Sequence, residues 1–174
     1  SLVAMMDRST GEVHSRRSRC YITYMRMRKR INIRIDVGLV RDVFKRDDLA
    51  RLGRGQMAIG HTRYSTFGNV NATNAQPLVV RHVKGQMAVA HNGNLTNAPE
   101  LRNKLELSGA IFHTTNDSEI ISYVIIQKRL ESASIEEAIE KAMDVLEGAY
   151  SLVVMSPNKL IAARDKTGFR PLVM

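Results

Sequence analysis

Residues 91–97 read His-Asn-Gly-Asn-Leu-Thr-Asn and follow the apolar run Met87-Ala88-Val89-Ala90. A short apolar run closed by polar residues and glycine reads as a buried strand. His91-Asn92-Gly93 is therefore expected where that strand ends. Such an end sets an Asn carboxamide beside a Gly backbone N–H, and two donors aimed at one point stabilise a developing oxyanion. Glycine suits the second place because it adds no side chain and adopts backbone angles that other residues avoid. Taken alone, Asn-Gly reads more simply as a hairpin turn, so the site reading needs support from elsewhere in the chain.

That support comes from three further stretches. Residues 60–68 read Gly-His-Thr-Arg-Tyr-Ser-Thr-Phe-Gly, residues 74–77 Asn-Ala-Gln-Pro, and residues 115–119 Thr-Asn-Asp-Ser-Glu. With His91–Asn97 they resemble, in order and spacing, the class II glutamine amidotransferases, a branch of the N-terminal nucleophile hydrolases. The Tyr64-Ser65-Thr66 stretch after Arg63 and the closing Gly168-Phe169-Arg170-Pro171-Leu172 are most similar to the amidophosphoribosyltransferase branch, and weigh against the glucosamine-phosphate synthase branch. The resemblance runs from about Asp36 to Met174.

The resemblance implies an α+β fold, an αββα four-layer sandwich that is incomplete in this chain. It implies a glutaminase that releases ammonia from glutamine for phosphoribosylamine formation in purine synthesis. The Asn92 side chain and the Gly93 N–H would then hold the oxyanion. Arg63 would take the glutamine carboxylate, since a guanidinium is a planar, permanently charged fork. Asp117 would take the α-ammonium, a role compatible with capping the helix that starts there. Thr66 and Tyr64 would shape the pocket. His61 and His91 flank these motifs and read as packed or backbone-bonded histidines.

In the family an N-terminal cysteine attacks the amide carbonyl. Its own α-amino group, which ordinarily titrates at about 7.7–8.0, serves as base. This chain begins Ser1-Leu2-Val3, and only 43 positions separate its single cysteine, Cys20, from Arg63. An internal thiol has no attached amine to activate it. The polypeptide as read is expected to keep the glutamine pocket without the means to cleave the amide, and a non-catalytic glutamine- or partner-binding module is the alternative. The resemblance also implies a missing phosphoribosyltransferase domain as partner. Any Mg belongs with that domain, and the glutaminase part needs no cofactor. Self-association is left open.

Bulk composition agrees with one soluble domain. The chain has 174 residues, 44% of them hydrophobic, enough to bury a core. A lone cysteine allows no internal disulfide, which suits a reducing cytoplasm. No apolar run is long enough to span a bilayer, and no secretory signal opens the chain. Five histidines and one cysteine do not cluster at metal-ligand spacings.

The net charge of +9 raises the question of nucleic acid. Residues 1–36 hold nine Lys or Arg against three Asp or Glu, whereas the remainder is nearly balanced. Nucleic acid is therefore not expected as a partner of the main body. The division is drawn as residues 1–35, a basic segment that does not match the family, and residues 36–174, a partial amidotransferase domain. The front segment reads as a solvated arm, with phosphate contact or a short strand at Ile31–Ile35 as alternatives. A third explanation is a shifted reading frame or displaced gene start, which sequencing the upstream DNA in all three frames tests.

Beyond Asp36 the pattern predicts a turn or short helix over Asp42–Leu52 and a strand over Met57–His61. A hairpin follows over Pro77–His91, turning at Lys84-Gly85. Helices are expected at Pro99–Leu107, with Gly109 as its cap, and at Ser118–Glu131, opened by a capping box of Asn116 with Glu119. A third begins at Ser134 and ends at Gly148. Strands at Tyr150–Met155 and Leu160–Ala163 close the pattern.

Overall fold

The computed structural model describes residues 2–5, 19–26, 30–39, 45, 47, 50–51, 57–63 and 74–173. Among the described residues, eight strands fall into two antiparallel sheets of four. The first contains β1 (Leu2–Met5), β2 (Arg19–Arg26), β3 (Arg30–Leu39) and β4 (Met57–Arg63), in the order β1-β4-β2-β3. The second contains β5 (Leu78–His82), β6 (Gly85–Leu95), β7 (Gly148–Met155) and β8 (Leu160–Arg164), in sequential order. Three helices, α1 (Ala98–Leu107), α2 (Asp117–Leu130) and α3 (Ile135–Met143), connect β6 to β7.

Strand β6 is apolar on both faces, and its period of two divides the core. Ala88 and Ala90 face the first sheet and meet Ile31 and Ile59, with Val153 and Met155 of β7 alongside. Met87 and Val89 face the helices and pack with Leu152, Val154, Ile121 and Ile125. The described residues thus give an α+β architecture of helices on sheet on sheet, three layers of the expected αββα sandwich. Asp47, Ala50 and Arg51 are helical, but most of Asp42–Leu52 lies outside the described residues.

Helix α2 carries Ile120, Ile121, Val124 and Ile125, all buried. β-branched residues are mediocre helix formers, so burial against the sheet, rather than local propensity, holds this helix. Its start is fixed by the Asn116 side chain, which accepts the Ser118 N–H at 3.1 Å. Helix α3 starts similarly, with the Ser134 hydroxyl accepting the Glu137 N–H at 3.1 Å.

Several expectations need correction. The front segment contributes strands in place of the expected solvated arm, and the alternative strand at Ile31–Ile35 lies within β3: β2 and β3 form an antiparallel hairpin, β4 pairs with β2, and β1 pairs with β4. The apolar–polar alternation, clearest over Ile31–Ile35, favours strand pairing despite the positive charge of the segment. The hairpin turns at Val83-Lys84, with Gly85 already opening β6 at φ +127°. Helix α3 stops at Met143, and Gly148 does not cap it. Gly148 starts β7 at φ +125°, where an added Cβ would overlap the Asn94 carbonyl oxygen and lie 2.9 Å from the Thr96 nitrogen. Close strand approach, not helix termination, requires glycine there.

Candidate active site

Asn92-Gly93 lies neither in a turn nor at a strand end. Strand β6 continues to Leu95, and its register with β7 runs unbroken from Ala88↔Met155 to Leu95↔Gly148. Alternation therefore places Asn92 on the same face as Ala88 and Ala90, towards the first sheet, and His91 on the helix-facing side. Gly93 has φ +139°, and a Cβ there would overlap the Ala149 carbonyl oxygen and lie 2.8 Å from the Tyr150 Cα. No other residue fits without moving β7.

The direction of the Gly93 amide follows from its pairing. Tyr150, opposite Gly93, turns both backbone groups the other way: its C=O accepts the Asp165 N–H at 2.8 Å and its N–H donates to Asp165 Oδ2 at 3.3 Å. Gly93↔Tyr150 is consequently a non-hydrogen-bonded pair, and the Gly93 N–H points to the opposite flank of β6. The β5 register ends at Leu78↔Val89, before reaching it. Three N–H groups share this flank. His91 donates to Gln76 Oε1 at 2.6 Å and Leu95 donates to Asp117 Oδ2 at 3.0 Å. Among the described residues, the amide between them, that of Gly93, is left open.

Asp117 is the first residue of α2, where a carboxylate is favoured by the helix dipole. Its bond to Leu95 anchors it two residues along β6 from Gly93, a separation of roughly 7 Å at strand rise. The structure thus brings Asn92, Gly93 and Asp117 to one end of the second sheet. Arg63 is the last residue of β4, in the facing sheet. Its side chain, and Tyr64 and Thr66 entirely, lie outside the described residues. Cys20 lies in β2, in register with Thr62 of β4.

His91 is buried, and its Nε2 has no partner among the described residues. Burial lowers its pKa to about 4; Arg170 adds to the depression and Asp117 opposes it. At neutral pH the ring is uncharged. His61 is also buried, in β4.

Two buried carboxylates that sequence reasoning gave no such role organise the surroundings. Asp165 accepts the Thr167 hydroxyl at 2.5 Å, the Phe169 N–H at 2.9 Å and the Arg170 N–H at 3.2 Å, besides Tyr150. These bonds, led by that from Thr167, hold its carboxyl well below the usual range despite burial. With Ser151 Oγ donating to the Pro171 carbonyl at 3.0 Å, they buckle the Gly168–Leu172 stretch onto β7 behind the Asn92-Gly93 pair. The Asp-x-Thr-Gly pattern after β8 is a turn signal from which this was readable. Glu119, expected as half of a capping box, reaches past the Asn116 N–H to His113 and Thr114.

A family model described as a glutamine amidotransferase domain matches residues 61–174, and the chain belongs to that family. The chain is 45% identical over 144 residues to the amidophosphoribosyltransferase of Methanocaldococcus jannaschii, covering 83% of this chain and 30% of that one. It is 47% identical over 138 residues to the chloroplastic amidophosphoribosyltransferase of Vigna aconitifolia, covering 79% and 28%. The solved glutamine phosphoribosylpyrophosphate amidotransferase from B. subtilis, complexed with ADP and GMP, matches with a TM-score of 0.76 at 35% identity, over 87% of this chain and 32% of that chain. The chain spans less than a third of the length of these relatives.

Proposed function

We propose that this chain is the glutaminase portion of an amidophosphoribosyltransferase, delivering ammonia from glutamine to a phosphoribosyltransferase domain for phosphoribosylamine formation in purine synthesis. The observation that carries the reading is the open Gly93 amide, set between a His91 amide held by Gln76 and a Leu95 amide held by Asp117. An open donor beside a carboxamide suits a substrate carbonyl oxygen. The carboxylate two residues away suits the α-ammonium at the other end of the same molecule, roughly the span of one extended glutamine.

In the reaction this assigns, the family's N-terminal cysteine gives its thiol proton to its own α-amino group, and the resulting thiolate adds to the glutamine side-chain carbonyl carbon. The carbonyl oxygen takes the negative charge and is held by Asn92 Nδ2 and the Gly93 N–H. Collapse breaks the C–N bond, the cysteine's α-ammonium returns the proton to the leaving nitrogen, and ammonia departs. Water then hydrolyses the thioester to glutamate. Arg63 binds the α-carboxylate, Asp117 the α-ammonium, and Thr66 lines the pocket. His91, uncharged and buried, serves packing. We place the activity in the cytoplasm and assign Mg to the phosphoribosyltransferase domain alone. No helix among the described residues is long and apolar enough to cross a membrane.

Calorimetric titration with L-glutamine tests the pocket, and an ammonia-release assay on a Ser1→Cys, Leu2→Gly variant tests the chemistry. Binding is expected in both chains, with ammonia release in the variant that Asn92→Ala lowers by roughly 100-fold or more. A folded chain that takes up no glutamine overturns the reading.

A further inference from the structure

Glu119 is the third residue of α2 and is 5% exposed. Its carboxylate points back along the chain. Oε1 accepts the His113 N–H at 3.0 Å, and Oε2 accepts both the N–H and the hydroxyl of Thr114 at 2.7 Å. While donating to Glu119, the Thr114 hydroxyl oxygen accepts the Asn116 N–H at 3.2 Å. Asn116 in turn caps α2 and donates through Nδ2 to the Asn74 carbonyl at 3.2 Å. The next residue is Asp117. A single chain of hydrogen bonds therefore runs from a buried carboxylate to the backbone that carries the ammonium-binding carboxylate.

The rest of the loop is clipped from outside. Arg102 donates to the Thr114 carbonyl at 3.0 Å and stacks 4.1 Å above the Phe112 ring. The Tyr123 hydroxyl donates to the Ile111 carbonyl at 2.7 Å. Helix α2 itself is held independently, through Ile120, Ile121, Val124 and Ile125. Freeing residues 113–116 would thus leave the helix docked and loosen only its first residue. Bonds from neutral donors to a charged acceptor are among the stronger ones, and Glu119 makes no ion pair among the described residues.

We propose that Glu119 is a positioning residue for Asp117. By latching His113 and Thr114 it fixes the Asp117 carboxylate so that one oxygen takes the Leu95 N–H and the other meets the α-ammonium of the substrate. It thereby sets the preference for an α-amino acid amide over the same molecule without its amino group. The inference rests on the proposed function, because it takes Asp117 as the ammonium ligand.

The test is a titration of the full chain with L-glutamine and with glutaramate, which lacks only the α-ammonium. Glu119→Gln keeps the size but turns an NH₂ against two or three N–H and O–H donors. It is expected to lower the preference for glutamine by about tenfold, with glutaramate affinity nearly unchanged. Thr114→Ser keeps the hydroxyl and should keep the preference. Thr114→Val removes the hydroxyl and should lose it, which covers the case of a Glu119 variant that fails to fold. Equal weakening of both ligands in the variants, or an intact preference, overturns the latch. If Asp117→Asn leaves the preference untouched, the ammonium assignment itself is wrong and the latch falls with it. If Asp117→Asn abolishes it while the Glu119 and Thr114 variants do not, only the latch falls.

Discussion

The backbone N–H of Leu95 donates to Oδ2 of Asp117 at 3.0 Å, joining the end of β6 to the start of α2. This bond ties a carboxylate twenty-two residues downstream in sequence to the strand that bears Asn92 and Gly93. It also occupies the flank of β6 that would otherwise pair with another strand. A β6 partner extending to Leu95 would bury the Gly93 amide, and the acid residue closes that option while leaving the amide open.

Gly93→Ala tests how tightly that geometry is fixed. The residue sits at φ +139° with the Ala149 carbonyl oxygen against the missing Cβ. Left-handed strain costs of order 1–3 kcal/mol, and displacing β7 adds to it. The variant is expected to unfold at clearly lower urea concentration and to bind glutamine poorly. A denaturation midpoint equal to that of the parent chain contradicts the close approach.

Much of this arrangement is legible in the sequence and some of it is hidden, for physical reasons. The starts of α2 and α3 are readable because Asn116 and Ser134 satisfy amides within three residues, a local matter. Strand β6 reads too short because His91-Asn92-Gly93-Asn94 looks polar, yet its pairing with β7 comes from the other side of three helices. Gly148 misleads for the same reason: its partner, the Asn94 carbonyl, is remote in sequence. Glu119 at the third helical position fits a capping box by pattern, but the tertiary position of His113 and Thr114 decides where its carboxylate goes. The candidate residues Asn92, Gly93 and Asp117 follow from motif resemblance; that the Gly93 amide is open requires the register.

Ile121 lies fully buried between α2 and the second sheet. Ile121→Ala removes a side chain that the surroundings cannot easily replace. A loss of about 2–5 kcal/mol is expected for such truncations, measured by equilibrium denaturation. Because the helix, not the site, bears the damage, glutamine affinity of the folded fraction should change little.

Asp165→Ala removes the acceptor for Thr167, Phe169, Arg170 and Tyr150 together. Hydrogen exchange is the direct readout. The amides of Phe169 and Arg170 should lose protection by about tenfold or more as the stretch lifts from β7. The Ile121 amide, in α2, should exchange as before. Because the Asp165 carboxyl titrates below its ordinary range in the folded chain, its stabilising bonds persist at neutral pH. They weaken only as acidification protonates it.

His91 gives the fold a pH dependence of definite sign. In the unfolded chain its pKa is near the ordinary histidine value of 6.5, and in the folded chain burial lowers it to about 4. Between these values the unfolded state binds a proton that the folded state does not, so stability falls as pH drops. The contribution is complete above pH 6.5, declines through the interval and is lost once pH passes about 4. At 1.36 kcal/mol per unit, the full effect is about 3 kcal/mol. Urea denaturation of the parent chain from pH 7.5 to 4.5 should show the decline. His91→Gln, which cannot be protonated, should be less stable at pH 7.5 but flatter across the interval. The two curves should converge on acidification, and parallel curves would mean that the buried imidazole is not the titrating group.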